Sequence, residues 1–146
     1  MKNNKELAQF YNKVYIKGEK KHFTIKRESV SLSEIKEVLK QVSWKGKKVL
    51  DVGCGTGLFA FNAAKKGAIV LGIDFSTEAI QIAQSQYTHK NLEFESTDVN
   101  KIKEKFDVIV SNGTLEHMDN PLKTLRLFKK HLTKNGCIII TSPNWS

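Results

Sequence analysis

Three aspartates each lie at or just after a short apolar run, and closely spaced glycines follow the first of them. Asp51 lies within "VLDVGCGTG", Asp74 ends the run "AIVLGID", and Asp98 follows "NLEFEST". The glycines after Asp51 are Gly53, Gly55 and Gly57. Glycine lets the backbone approach a ligand closely, and a carboxylate accepts hydrogen bonds or attracts a cation. The pattern predicts a binding site for a ligand that carries amine and hydroxyl groups.

The spacing of the glycines distinguishes between the common nucleotide-binding loops. A dinucleotide fingerprint requires G-x-G-x-x-G, but here the order is G-x-G-x-G and position 58 is leucine. The sequence also contains no triphosphate loop of the form G-x-x-x-x-G-K-[ST]. Asp51 would repel a pyrophosphate, but it could hold an ammonium group directly or through water. NAD-dependent reduction is therefore disfavoured.

The two later aspartates suit the other parts of one such ligand. Asp74 lies seventeen residues after Gly57, where an acid accepts hydrogen bonds from ribose hydroxyls. Asp98 follows the third apolar run, where it could accept from an exocyclic amine. S-adenosyl-L-methionine combines an amino acid, a ribose and an adenine with a positive sulfonium and no phosphate. Structural alternatives stay open: Asp74 as a helix cap, Asp98 in an ordinary turn, and the glycines as a tight turn only.

The elements that must position these residues alternate between strands and helices. Five strands are predicted at "KKVLDV", "AIVLGID", "NLEFEST", "KFDVIVSN" and "GCIIITS", and most have the continuous apolar runs of strands buried on both faces. The helices between them are "LFAFNAAKK", "STEAIQIAQSQY" with Ser76 as cap, and "NPLKTLRLFKKHL" with Pro121 near its first turn. This alternation predicts an α/β fold, a Rossmann-like doubly wound and mostly parallel sheet with helices on both faces. Ligands of such sheets bind at the carboxyl ends of the strands.

The first 46 residues are predicted to form a helical extension before this core, which covers residues 47–146. Residues 4–16 place Tyr11 and Tyr15 among apolar residues at helical spacing. A second helix is predicted over residues 31–42, where Ser31 and Glu34 have the spacing of a capping box.

The chain has 146 residues and a formal net charge of +9, which raises the question of a nucleic-acid partner. The charge is spread along the chain, and Arg27 and Arg126 are its only arginines. Proteins that read base edges usually use arginine. We therefore interpret the lysines as a solvated surface and expect no nucleic-acid partner, with binding to an acidic substrate or to RNA as the alternative.

Cysteine content and hydropathy indicate an ordinary protein of a reducing compartment. Cys54 and Cys137 form no C-x-x-C pair, so neither a disulfide nor a zinc site is expected. No apolar run is long enough for a membrane span. The polar start "MKNNKELAQF" does not have the apolar core of a secretory signal, and the expected location is the cytoplasm.

Taken in order, these segments resemble the class I S-adenosylmethionine-dependent methyltransferases, in particular the small-molecule branch that includes quinone-biosynthesis methyltransferases. The resemblance rests on "VLDVGCGTG", "GIDFSTEAIQIAQ", "ESTDVN" and "FDVIVSNGTLEHMDNPLKTLRLFKKHLTKNGCIIITSPN", and it covers residues 47–144. It implies an enzyme that transfers a methyl group from S-adenosyl-L-methionine to a small-molecule acceptor, with oxygen as the expected acceptor atom.

The resemblance also implies roles for single positions. The residues of the loop that would bind the cofactor are Asp51, Gly53, Cys54, Gly55 and Gly57. Of these, Asp51, Gly53 and Gly55 would line the methionine part of the cofactor. The backbone carbonyl of Asn112 would lie near the cofactor's ammonium, with Leu115 packed nearby.

At the adenosine end, the resemblance implies that Asp74 binds the ribose hydroxyls and that Phe75 lies beside the adenine. Asp98 would meet the adenine amine, with Val99 close by. Phe75 as a plain core residue is the alternative.

Methyl transfer is an in-line displacement at an activated methyl group, so alignment of the reactants supplies much of the catalysis. A base is needed only for an acceptor that starts protonated, such as a hydroxyl. His117 in "LEHMD", with Glu116 and Asp119 beside it, is the candidate because histidine titrates near neutral pH. A histidine bonded to backbone is the alternative. Some relatives bind a metal through E-x-x-E-H here, but Gly113 replaces the first glutamate and no metal is expected.

The two ends of the chain raise separate expectations. In similar enzymes a segment before the sheet often covers the cofactor as a lid. Tyr11 and Tyr15 suit this role, and they suit simple packing onto the sheet at least as well. Family members usually continue past strand five with an insertion and two further strands, so the chain is interpreted as a fragment or a minimal form. An uncovered edge at strand five would favour self-association. The alternative function is a non-catalytic or truncated Rossmann-like module that binds nucleotide or RNA, or serves as a subunit.

Overall fold

A computed structural model describes Ser33, residues 35–112 and residues 118–141 of the chain. The strands are β1 (Lys48–Val52), β2 (Ile69–Asp74), β3 (Leu92–Ser96), β4 (Phe106–Asn112) and β5 (Leu132–Thr141). They form one sheet in the order β3-β2-β1-β4-β5, and all neighbouring strands are parallel. The predicted Rossmann-like α/β fold is confirmed. The strand order reverses between β1 and β4, which is where open parallel sheets bind ligands.

Helices precede and connect the strands, as the sequence predicts. They are α1 (residues 35–39), α2 (Leu58–Lys65), α3 (Thr77–Gln86) and α4 (Pro121–Lys130), with a 3-10 turn at Val99–Lys101. Within the described residues, none of these helices is long and apolar enough to cross a membrane.

Side-chain caps fix the starts of two helices. The Ser76 hydroxyl accepts a hydrogen bond from the amide of Ala79 at 3.1 Å, and the Asn120 side chain accepts from the amide of Lys123 at 3.0 Å. Each cap satisfies one of the amides that a helix leaves unpaired in its first turn. The predicted cap at Ser76 and the proline in the first turn of α4 are confirmed.

Part of the second predicted N-terminal helix is present as α1. Ile35 and Val38 are buried and pack with Trp44 against the sheet. The predicted capping residues, Ser31 and Glu34, lie outside the described residues, and the boundary of the extension at residue 46 stays a prediction.

Two apolar clusters cover the two faces of the sheet. One packs α1 and α2 against β1 through residues such as Val49 and Phe59. The other packs α4 against the opposite face through Leu50, Ile109 and Phe128. Because successive residues of a strand point to opposite faces, β1 and β4 supply both clusters, as predicted for strands buried on both sides.

The fifth strand begins earlier than predicted. It starts at Leu132, which pairs with Phe106, whereas the predicted strand starts at Gly136. The register between β4 and β5 then shifts, and Cys137 pairs with Val108. A Cβ atom on Gly136 would lie 3.1 Å from backbone oxygens of β4, so the glycine lets the irregular segment lie close against that strand. The sequence pattern misses this start because the polar "TKN" interrupts the apolar run.

Exposed lysines are frequent at one edge of the sheet, and the three predicted ligand acids lie at the other. In a parallel sheet, residues that precede the strands share the amino edge, and residues at the strand ends share the carboxyl edge. Exposed lysines lie near the start of every strand, for example Lys47, Lys66, Lys90, Lys105 and Lys134. Asp51, Asp74 and Asp98 lie at or near the carboxyl edge, whereas Asp107 lies near the start of β4 at the amino edge.

Candidate functional site

The turn after β1 is built from glycines with left-handed backbone. Gly53, Gly55 and Gly57 have φ angles of 75°, 56° and 92°, which other residues adopt only with strain. The amides of Gly53 and Cys54 donate to the carbonyl of Ile73 at 2.8 and 2.9 Å, which fastens the turn to β2. α2 begins directly after the third glycine. The structure therefore contains the tight turn that the glycine spacing predicts, at the point where the strand order reverses.

Asp74 fastens the same turn from the end of β2. One of its carboxylate oxygens accepts from the amide of Gly55 at 2.9 Å, and the other accepts from the amide of Ser76 at 2.9 Å. The carboxylate thus links the glycine turn to the start of α3. A carboxylate offers about four acceptor positions, so this arrangement is compatible with further hydrogen bonds from ligand hydroxyls.

Asp51 is buried inside the fold next to this turn. It is only 2% exposed. Burial raises the pKa of Asp51 from 3.8 to about 8, and the negative charge of Asp74 adds to the effect. A cation that comes close would favour the charged form of such a buried acid.

We expect Asp51→Asn to remove a pH dependence of stability. The carboxyl group ionises near pH 3.8 when exposed but only near pH 8 in the folded chain. Between these values folding takes up a proton, so the free energy of unfolding should fall as pH rises, by at most about 1.4 kcal/mol per pH unit. Urea unfolding between about pH 5 and about pH 8 measures this slope. Equal slopes in the wild-type and variant chains would contradict the assignment.

Cys54 lies in the turn as a partly buried free thiol. Burial raises the pKa of the Cys54 thiol well above 9.0, and the carboxylates of Asp51 and Asp74 act in the same direction. The thiol therefore stays protonated at neutral pH, which makes it a poor nucleophile.

The residues predicted at the adenosine end lie on the neighbouring strand ends. The amide of Thr97 donates to the carbonyl of Asp74 at 3.1 Å and joins the ends of β2 and β3. Asp98 accepts from the amide and side chain of Asn100 at 2.8 and 2.7 Å, which orients its carboxylate. Val99 is buried, and the partly buried Phe75 packs against the apolar cluster between α4 and the sheet. The structure thus brings these residues to the same edge as the glycine turn.

Asn112 ends β4 at the carboxyl edge, where its side-chain oxygen accepts from the hydroxyl of Thr141 at 3.0 Å. Four other predicted site residues, Tyr11, Tyr15, Leu115 and His117, lie outside the described residues. In the parts of the chain that the structure describes, no three His, Cys, Asp or Glu side chains converge on a metal site. The absence of a metal stays a prediction.

Sequence reasoning missed the residue that supports the glycine turn from behind. Phe94 in β3 lies against Gly57 of the turn and against Gly72 of β2. The alternating pattern of "NLEFEST" indicates that Phe94 points inward but not what it meets. A glycine inside a strand, as at position 72, is the available signal, since it often marks a close approach of another group.

Residues 43–146 match the family model described as "Methyltransferase domain". The chain belongs to the methyltransferase domain family. This methyltransferase domain is 37% identical over 109 residues to the ubiquinone biosynthesis O-methyltransferase of Haemophilus ducreyi, covering 68% of this chain and 46% of that protein. It is 36% identical over 115 residues to the protein of the same name in Coxiella burnetii, covering 75% and 49%. The chain spans about half the length of the curated relatives it matches.

Solved structures share the fold of the methyltransferase domain. An S-adenosylmethionine-dependent methyltransferase from Aquifex aeolicus matches with a TM-score of 0.65 and 28% identity, over 73% of this chain and 62% of that one. The magnesium protoporphyrin IX methyltransferase of Synechocystis, solved with bound S-adenosylmethionine, matches with a TM-score of 0.72 and 18% identity, over 96% and 76%. At that identity the second likeness supports the fold alone.

Proposed function

We propose that this methyltransferase domain binds S-adenosyl-L-methionine at the carboxyl ends of β1, β2 and β3 and transfers a methyl group to an oxygen of a small-molecule acceptor. When bound, the cofactor supplies a methyl group activated by a positive sulfonium. The name of the curated relatives, ubiquinone biosynthesis O-methyltransferase, supports oxygen as the acceptor atom. The family match supports the reaction class.

The observation that carries the proposal is the buried Asp51 beside the glycine turn. Its position at 2% exposure makes ionisation costly in the unliganded chain. A cation that enters the site would favour the charged form, whereas a pyrophosphate would oppose it. The ammonium and sulfonium groups of S-adenosyl-L-methionine meet this requirement, and the cofactor has no phosphate.

The other acids suit the adenosine part of the same ligand. Asp74 is held by the amides of Gly55 and Ser76, so its carboxylate is fixed in place before a ribose arrives. Asp98 is likewise fixed by Asn100. Preorganised acceptors lose little freedom when a ligand binds, which increases affinity. Phe75 and Val99 would pack along the adenine in this arrangement.

The chain's contribution to the reaction is mainly alignment, because a sulfonium is already a good leaving group. Fixing the donor against the acceptor and excluding water supply much of the rate. His117 is proposed as the base that removes the hydroxyl proton of the acceptor. Tyr11 and Tyr15 are proposed as a cover over the cofactor.

Two further parts of the proposal concern association and location. Within the described residues β5 is the last strand of the sheet, and Ile140 on it is 39% exposed. An apolar edge strand of this kind favours pairing with a second strand, so we include self-association through β5. The free thiols Cys54 and Cys137 suit a reducing compartment, which supports the cytoplasm.

Titration calorimetry of the whole chain with S-adenosyl-L-methionine tests the proposal, with NAD as the control ligand. We expect saturable binding of S-adenosyl-L-methionine with a Kd of about 10 μM, which corresponds to a binding free energy of about −7 kcal/mol. NAD should give no heat of binding. An assay of S-adenosylhomocysteine release with phenolic acceptors then tests transfer. No heat from folded protein at high-micromolar cofactor would reject the proposal. Binding without release on any acceptor would favour the alternative of a non-catalytic module.

A further inference from the structure

The ring of Phe94 occupies the space next to two glycines. A Cβ atom placed on Gly57 would lie 2.5 Å from Cζ and 2.9 Å from Cε1 of the ring. A Cβ atom on Gly72 would lie 2.8 Å from Cδ1 and 3.0 Å from Cε1. Real Cβ atoms do not approach other carbons so closely. Both positions therefore need glycine to admit this ring.

The two glycines belong to different parts of the site. Gly72 is the cross-strand partner of Phe94 in β2, and Gly57 ends the glycine turn, immediately before α2. The ring therefore reaches from β3 across β2 to the turn. On the backbone side, the Phe94 carbonyl accepts from the Gln84 side chain of α3 at 3.2 Å.

We propose that Phe94 is a positioning residue for cofactor binding, because its ring sets the height of the glycine turn above the sheet. The inference rests on the proposed function and extends it to a residue outside the cofactor-binding set. The turn's hydrogen bonds from Gly53, Cys54 and Gly55 are made with β2, and the side chain of Ala83 in α3 lies near Gly57 beside the ring. Phe94 supplies the apolar support at the far end of the turn.

This arrangement connects the ring to the atoms that face the ligand. The amide of Gly57 donates to the carbonyl of Cys54 at 3.0 Å, so the last glycine and the middle of the turn move together. The next amide, that of Gly55, is held by Asp74. A turn that sinks into the space left by a smaller side chain would shift these groups, and displacements of about 1 Å can cost up to about a hundredfold in function.

Phe94→Leu tests the inference through the affinity for S-adenosylhomocysteine, measured by calorimetry at a temperature where each variant is folded. We expect the Kd to rise about tenfold. Phe106→Leu is the matched control, since Phe106 is fully buried in the other cluster, at the amino end of β4. It should lose stability and keep its affinity, whereas a merely structural role for Phe94 predicts the same behaviour for both variants.

A second variant tests the contact itself. Gly72→Ala places a methyl group 2.8 Å from Cδ1 of the ring and 3.1 Å from Cβ of Cys54 in the turn, so it should also weaken binding. Combined with Phe94→Leu, which makes room, it should cost less than the sum of the two single changes. If Phe94→Leu does not fold, Phe94→Met, whose unbranched and flexible side chain adapts better to an irregular space, takes its place in both experiments.

The outcomes separate this inference from the proposed function. If the wild-type chain does not bind S-adenosylhomocysteine, the proposed function fails. If the wild-type chain binds and folded Phe94→Leu binds within twofold of it, the positioning role is rejected. Additive effects of Phe94→Leu and Gly72→Ala would reject it as well.

Discussion

Replacing Asp74 by alanine is expected to raise the Kd for S-adenosyl-L-methionine about a hundredfold or more. The change removes the proposed acceptor for the ribose hydroxyls, and hydrogen bonds to a charged group contribute about 1.5–3 kcal/mol each. It also releases the amides of Gly55 and Ser76, each held at 2.9 Å. The glycine turn would then lose its link to α3, so the loss should exceed that of ligand contacts alone. Calorimetry with the folded variant measures the Kd.

Asp107→Ala is the matched control for Asp74→Ala. Asp107 is also a carboxylate with two partners, since it accepts from the amide of Lys48 at 2.9 Å and from the hydroxyl of Thr133 at 3.0 Å. These contacts lie at the amino edge, away from the proposed site. The control should destabilise the chain without changing the Kd. An affinity of Asp74→Ala within fivefold of the wild type would exclude the proposed role of Asp74.

Gly57→Ala is expected to destabilise the chain by about 2–4 kcal/mol. Part of the cost is conformational, because φ at this position is +92°. The rest is steric, because the added methyl group would lie 2.5 Å from Cζ of Phe94. Urea unfolding gives the free energy, and cofactor affinity should fall at the same time because the turn must move.

Gly46→Ala separates these two costs. Gly46 also has a left-handed φ of +74°, but a Cβ atom placed there would have no neighbour within 4 Å. It should therefore show only the conformational cost, about 1–2 kcal/mol. Equal losses in the two variants would mean that the ring of Phe94 does not press on the turn.

Local patterns predicted the elements and the turn because the relevant interactions lie within a few residues of one another. The cap at Ser76 is an example, since its hydroxyl bonds the amide of Ala79 three residues on. The left-handed glycines are another, because the spacing of Gly53, Gly55 and Gly57 already indicates a turn that other residues do not form. The same patterns also predicted that Asp51, Asp74 and Asp98 lie at or near the ends of their strands.

These local patterns did not predict contacts between segments that are distant in the sequence. The sequence presents Asp74 as a ligand acceptor or a helix cap, and the structure shows that it also holds the amide of Gly55, nineteen residues earlier. The support of the turn by Phe94 depends on the register between β2 and β3, which alternation does not specify. The early start of β5 at Leu132 depends in the same way on its pairing with Phe106.

The acids at the carboxyl edge of the sheet have a consequence for the proposed turnover. S-adenosyl-L-methionine carries a sulfonium charge that the product, a neutral thioether, has lost. On the proposed function, the carboxylate of Asp74 would attract the donor more than the product, and Asp51 would add to this attraction once the bound cation favours its charged form. In the proposed reaction, the site would therefore hold the donor more strongly than the product that remains once the methyl group has been transferred. Added salt should narrow this difference, because screening acts on the charged donor and hardly on the neutral sulfur.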